Sequence, residues 1–199
     1  IDTKIGFLRN FGFLRFIILF AAFNYFFRDK RFLKNVLISW TLILSFILVD
    51  IFFENLMGRN LLGFGEAYQQ RIVSFFKNEP IVGGFINSFY LIIIGFLFMN
   101  FKNKNLILIF SIVFLIAIFL TGERSNSIKA LTGFLLFYII LKEYDFKKKI
   151  ALLVSAILII SVFILNSEYL KLRYITQIKS HINEDQIYFK LYKSGLQVF

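Results

Sequence analysis

Two short polar stretches hold most of this chain's candidate chemistry. In Thr121-Gly122-Glu123-Arg124-Ser125-Asn126 an arginine and a glutamate stand side by side between two apolar runs. A guanidinium presents a planar fork of N–H donors that matches phosphate oxygens in pairs, so Arg124 could clamp a pyrophosphate. Paired with Glu123, or reaching outward to lipid headgroups, the same arginine would be an ordinary turn residue. Lys129 lies four residues after Ser125 and shares its helix face, where it either extends a cationic patch or snorkels to the interface. The longer stretch, from Gly58 to Gly84 (GRNLLGFGEAYQQRIVSFFKNEPIVGG), contributes Arg59, Arg71 and Glu79. Here Asn78-Glu79-Pro80 reads as a helix start, with Asn78 as the cap and Pro80 at an early helical position. The free amides of such a start favour an anion, although Glu79 could simply complement the helix dipole. Gly83 and Gly84 allow close packing just inside that helix. Asp50, near the end of the preceding apolar run, is either part of the site or a solvated helix-end carboxylate.

Other chemistries find little support. His181 is the single histidine, in a polar segment where a surface role is the ordinary one. Glu184 and Asp185 are adjacent, which is poor spacing for metal ligands, and no HExxH or carboxylate–histidine cluster occurs. There is no P-loop and no GxGxxG, so neither a metal nor a nucleotide cofactor is expected. Cysteine is absent, which removes disulfides and thiolate metal sites.

The elements that must position these residues are apolar and long. Of the 199 residues 58% are hydrophobic, including 29 Phe, against about 45–50% in an ordinary soluble domain. Charges are confined to breaks between apolar stretches, which favours a membrane protein; the lack of strict alternation argues against a transmembrane β-barrel. Runs near the roughly 20 residues that cross a hydrocarbon core lie at about 7–27, 36–54, 80–100, 106–121, 126–141 and 150–166. Helix is the required conformation, because lipid offers no partner to an open backbone group. The expected fold is therefore all-α, a polytopic transmembrane bundle over 1–166 with about six spans. Spans four and five are short and should extend into the polar turn between them.

Loop charge sets the orientation. Arg28, Lys30, Arg31, Lys34, Lys102, Lys104, Lys142, Lys147, Lys148 and Lys149 fall in three short loops on one side. The opposite loops carry only Arg59, Arg71, Lys77 and Arg124. The positive-inside rule places the first set in the cytoplasm, so both polar stretches and both ends are expected outside it. The net charge of +11 is thus a topology signal, and nucleic-acid binding is not indicated. Residues 167–199 read as the start of a large extracytoplasmic loop. In it Ile182, Ile187, Leu191 and Tyr192 give a weakly amphipathic pattern, suited to a surface helix or to a connecting loop. With no initiator Met at Ile1 and a polar segment at Phe199, the chain reads as a piece of a longer membrane protein.

With these residues laid out, the chain resembles the bacterial O-antigen polymerase/ligase family of polytopic inner-membrane proteins. The likeness runs through Val49-Asp50-Ile51, Gly58-Arg59-Asn60-Leu61-Leu62-Gly63, Arg71-Ile72-Val73-Ser74-Phe75-Phe76 and Asn78-Glu79-Pro80-Ile81-Val82-Gly83-Gly84. Thr121-Gly122-Glu123-Arg124-Ser125 resembles the family's Gly-Glu-Arg turn, and Arg173 followed by 185–199 resembles the beginning of its large outer loop. Lys77 and Pro80 depart from the family pattern, and His181 does not stand where the family's functional histidine would. The resemblance implies metal-independent transfer of glycan from an undecaprenyl-pyrophosphate carrier to an acceptor sugar. Its partners would be that lipid-linked oligosaccharide, membrane lipids and other polysaccharide-assembly membrane proteins. The implied catalytic set is Arg124, Glu123, Arg71 and Glu79, with Arg173, Arg59, Lys129 and Asp50 binding substrate. Charge reversal at Arg124 should then abolish transfer and leave membrane insertion intact. The Arg71–Phe76 and Glu79 stretch looks more like a polymerase, which extends a lipid-linked chain, than a ligase, which transfers polymer to lipid A–core. A transporter or flippase for the lipid-linked sugar is the alternative of another class; the inverted repeats such proteins often carry are not evident. The resemblance also implies that this stretch alone is not an active enzyme.

Overall fold

The computed structural model describes residues 13–65, 71–77, 79–182, 190 and 193–195. Among these the chain is helical and has no strand. It divides into two compact units, Ile1–Ile43 and Leu44–Phe199.

In the first unit, α1 (Leu14–Phe26) turns through three residues into the start of α2 (Lys30–Met57). The Asp29 carboxylate accepts the Arg31 amide at 2.8 Å, satisfying one of the free donors of the helix start. Phe26 and Phe32 stack across the turn at 5.3 Å between ring centroids. α1 buries none of its residues; Ile17, Ile18 and Phe20 all face outward. The early part of the expected 7–27 span lies outside the described residues.

In the second unit, the remainder of α2 is followed by a 3-10 turn (Ser74–Phe76), α3 (Val82–Asn100), α4 (Lys104–Leu120), α5 (Arg124–Ile140) and α6 (Phe146–Asn166). α3, α4 and α5 pack mutually, and α6 lies against α4 and α5. α4 is the centre: from Phe114 to Ala117 and on to Ile118 and Leu120 its residues are buried, as expected of a helix apolar on every side. Hydroxyls inside this core are bonded. Tyr90 Oη donates to the Ala130 carbonyl at 2.5 Å, and Ser111 Oγ donates to the Leu108 carbonyl at 2.6 Å. α6, in contrast, buries only Ala156 and Ile160. Among the described residues three helices, α2, α3 and α6, are long and apolar enough to cross a membrane.

Several helix boundaries differ from expectation, for a physical reason. The basic loops expected at 28–35, 101–105 and 142–149 shrink to 27–29, 101–103 and 141–145, because α2, α4 and α6 begin at Lys30, Lys104 and Phe146. Lysine is a good helix former with a long apolar stem, so it joins the first turn instead of waiting outside it. Lys104 shows this directly, its Nζ reaching back to the Phe98 carbonyl and lying 4.4 Å from the centre of the Phe98 ring. α3 begins at Val82, two residues after Pro80, so Pro80 is not its early helical position. Asn78, the expected cap, lies outside the described residues.

Candidate functional site

The longer polar stretch is anchored by α2. Asp50 and Glu54 are four residues apart on that helix, share a face and are both buried. Asp50 accepts the Leu61 amide at 2.9 Å and the Ser74 hydroxyl at 2.5 Å. Glu54 accepts the Val73 amide at 3.0 Å and the Ser74 amide at 2.7 Å. Asn60 completes the knot: its carbonyl accepts the amides of Leu62 at 3.0 Å and Phe64 at 2.7 Å, and its amide group donates to the Ser74 carbonyl. Ser74 is held at φ +48°, a left-handed conformation uncommon outside glycine, which three polar neighbours over-determine.

The two polar stretches meet at the start of α3. Glu123 spans both chain amides there, accepting Gly83 at 2.8 Å and Gly84 at 3.0 Å, and a third bond comes from Asn126 Nδ2 at 2.6 Å. A carboxylate supplied from 39 or 40 residues away thus satisfies free donors of the helix N-terminus and complements its dipole. Glycine is required for so close an approach. A methyl group at Gly83 would lie 2.5 Å from Thr121 Oγ1 and 2.9 Å from Glu123 Cδ, and one at Gly84 would lie 2.9 Å from Asn126 Nδ2.

A third segment closes over this junction. After α6 come α7 (Glu168–Lys171), a π turn (Leu172–Thr176) and α8 (Gln177–Ile182). The wider π turn, a feature often found at functional sites, accompanies a set of inward contacts from Tyr169, Arg173 and Tyr174. Arg173 donates through Nε to the Gly122 carbonyl at 3.1 Å and through Nη1 to Gln177 at 2.9 Å. Tyr174 donates to the Phe119 carbonyl at 2.9 Å and lies 2.6 Å from Ser127 Oγ. Tyr169 packs against Gly122 so closely that a methyl group there would lie 2.7 Å from its hydroxyl.

Arg71 and Tyr169 line a cavity of about 880 Å³. Its wall is apolar along Leu56, Met57, Leu120, Val162 and Phe163, and polar at Glu54, Asn55, Arg71, Asn166, Glu168 and Tyr169. Two buried donors on this wall, Arg71 Nε and Tyr169 Oη, have no hydrogen-bond partner. The other polar contact of Arg71 is a long one, from Nη2 to the Pro80 carbonyl at 3.5 Å. Burial raises the pKa of the Tyr169 phenol; Arg173 and Arg71 pull it down, and Glu123 pushes it up. Burial likewise raises that of Tyr174. Both phenols are therefore neutral donors at ordinary pH.

Of the residues singled out in the sequence, Arg71 lies on the cavity wall, while Arg173 and Glu123 are off the wall but act electrostatically on Tyr169. Arg124 is half-buried at the first residue of α5 and is not on that wall. Glu79, Arg59 and Lys129 are exposed, and Asp50 is enclosed in the knot. Tyr169 and Glu54 were not foreseen. Glu54 had a signal in the sequence, a second carboxylate one turn from Asp50; Tyr169 had none beyond standing four residues before Arg173. Among the described residues no group of His, Cys, Asp and Glu could hold a metal ion. Comparison with protein-family models, curated proteins and solved structures found no match. The arrangement can receive an amphiphile: the lining mixes apolar side chains with one guanidinium, Arg71, for an acidic group and two carboxylates, Glu54 and Glu168, for hydroxyls.

Proposed function

We propose that this chain is part of a multi-pass bacterial inner-membrane glycosyltransferase, an O-antigen or surface-polysaccharide polymerase that uses a polyprenyl-pyrophosphate-linked donor. In this reading the six helices α1 to α6 all span the membrane, both ends and the polar stretches face the periplasm, and residues from 167 onward begin the outer loop. The observation that carries it is the pair of unpartnered donors, Arg71 Nε and Tyr169 Oη, on residues of a cavity whose lining is otherwise largely apolar along Leu56, Met57, Leu120, Val162 and Phe163. Buried donors are nearly always paired, so two orphaned donors on residues that line one cavity mark a place where an acceptor would be accommodated. An acceptor with two or more anionic oxygens and a hydrocarbon tail suits such a lining.

In the reaction, the bond from the donor sugar's anomeric carbon to the pyrophosphate oxygen breaks as a bond to the acceptor hydroxyl oxygen forms. The electron pair departs on the pyrophosphate, a good leaving group that needs charge neutralisation more than protonation. Fixed donors aimed at developing charge supply that, and loss of one such donor typically costs about a hundredfold to a thousandfold in rate. Arg71 contacts the pyrophosphate and Arg173 adds charge from off the wall. Glu123, whose oxygens already accept three hydrogen bonds, orients the turn that carries Gly122. The acceptor's proton passes to a carboxylate of the cavity lining, a role we assign to Glu168, which is exposed.

The test is a surface-polysaccharide gel from a strain lacking the full-length gene. Core bearing a single repeat with the ladder lost is the result expected of a polymerase. Bare core with polymer stranded on its carrier would identify a ligase instead. An unchanged ladder would overturn both.

A further inference from the structure

We infer that Tyr169 is a substrate-contact residue, its hydroxyl donating beside Arg71 Nε to one phosphoryl group of the lipid-linked anion. The inference rests on the lipid-pyrophosphate reading and adds to it a residue that arginine-centred reasoning does not reach.

Four observations converge on the phenol. Its oxygen is buried and unpartnered, as is Arg71 Nε, and both residues line one cavity. Other buried tyrosines of this unit are treated differently: Tyr90 donates to Ala130, Tyr174 to Phe119, and Tyr138 lies 3.3 Å from Ser111 Oγ. Of these four phenols, that of Tyr169 is the one buried without a partner. The position is also specified by its surroundings, since Gly122 at φ +70° leaves room for the ring where any side chain would collide with it. Finally, two guanidinium groups, Arg173 and Arg71, act on the hydroxyl against one carboxylate, Glu123, so an anion accepting from it has two cations nearby. Because a phenol is held neutral there, it can donate without adding a further charge that the empty cavity would have to solvate. A guanidinium and a phenol together give two donors of different reach to neighbouring phosphoryl oxygens.

The experiment is binding of farnesyl pyrophosphate, with farnesol as the uncharged control, to the purified full-length protein in detergent. Tyr169→Phe deletes one oxygen and keeps the ring against Gly122, so folding is retained and can be verified by an unchanged melting temperature. The expected result is about tenfold weaker binding of farnesyl pyrophosphate with farnesol unaffected, the size of one lost hydrogen bond to a charged acceptor. Tyr174→Phe, whose hydroxyl is already paired, should bind as wild type. Unchanged farnesyl pyrophosphate binding by Tyr169→Phe would overturn the inference, and so would a wild-type protein that does not prefer the pyrophosphate to farnesol. Failure of the transferase reading shows elsewhere, as an unchanged polysaccharide ladder on gene deletion. Weakened binding in Tyr169→Phe would then still establish the contact.

Discussion

The knot at Asp50 and Glu54 and the cavity at Arg71 and Tyr169 adjoin at Glu54, which also lines the cavity, and they treat buried polarity in opposite ways. In the knot each carboxylate is matched by an amide or hydroxyl of the loop it holds: Glu54 by Val73 and Ser74, Asp50 by Leu61 and Ser74. In the cavity two donors are left open. The first arrangement gains rigidity from complete pairing; the second keeps unspent hydrogen-bonding capacity where a ligand can use it. Buried polar groups therefore divide into those already paired and those with hydrogen-bonding capacity left over, and under the proposed function only the second kind would meet a ligand. Mutations should separate the two.

The largest effect is expected at Glu54. Glu54→Ala strands the buried amides of Val73 and Ser74, at about 1–3 kcal/mol for each unpaired group. The variant should fail to accumulate in the membrane, as judged by immunoblot of membrane fractions, and activity should fall with it. Normal accumulation of Glu54→Ala would mean that the knot does not hold the loop. Next comes Arg71→Ala, which should reduce glycan transfer by about a hundredfold with the protein present at wild-type level. Arg124→Ala, away from the cavity wall, should lose less. Equal losses at the two arginines, read as ladder intensity at matched protein level, would shift the anion site toward Arg124 and away from the cavity.

A smaller effect separates the two glycines that Glu123 holds. Gly83→Ala forces a methyl group against Thr121 and Glu123, both fixed by hydrogen bonds, and overpacking of this kind costs about 1–3 kcal/mol. Gly84→Ala meets only the tip of the Asn126 side chain, which can move aside at the loss of its one bond to Glu123, so its cost should be lower. Thermal melts of the two variants in detergent check the order, and the reverse order would mean that Glu123, not its neighbours, yields first.

The membrane-length apolar runs and their helical state were legible because composition and run length carry them directly. Helix starts were less so, because Lys30 and Lys104 read equally well as loop charge and as first-turn residues with snorkelling stems. The site was legible as a set of charges in polar stretches, with Arg71, Glu123 and Arg173 all brought around Gly122 and Tyr169. What the sequence could not show was which charges were already spent. Glu123 takes up the amides of Gly83 and Gly84 across a separation of about 40 residues, and no local pattern announces a helix capped from such a distance. Tyr169 was invisible for a different reason: in a chain that is 20% aromatic, one more tyrosine carries no signal until its hydroxyl is seen without a partner.

The smallest expected effect sharpens the comparison most, because it sets two tyrosines five residues apart against each other. Tyr174 spends its hydroxyl on Phe119 and Ser127, so Tyr174→Phe should lower stability by about 1 kcal/mol and leave transfer unchanged. Part of that cost is recoverable, since Ser127 Oγ also lies 3.4 Å from the Ile118 carbonyl and can turn to it. Tyr169→Phe removes a donor that has no partner in the free protein, so the melting temperature should hold or rise slightly while transfer falls. Stability and activity thus move independently at two chemically identical substitutions on one short segment. If both variants lost stability alike and transfer not at all, the Tyr169 hydroxyl would belong with the knot, paired in the working protein, and the cavity would lose one of its two donors.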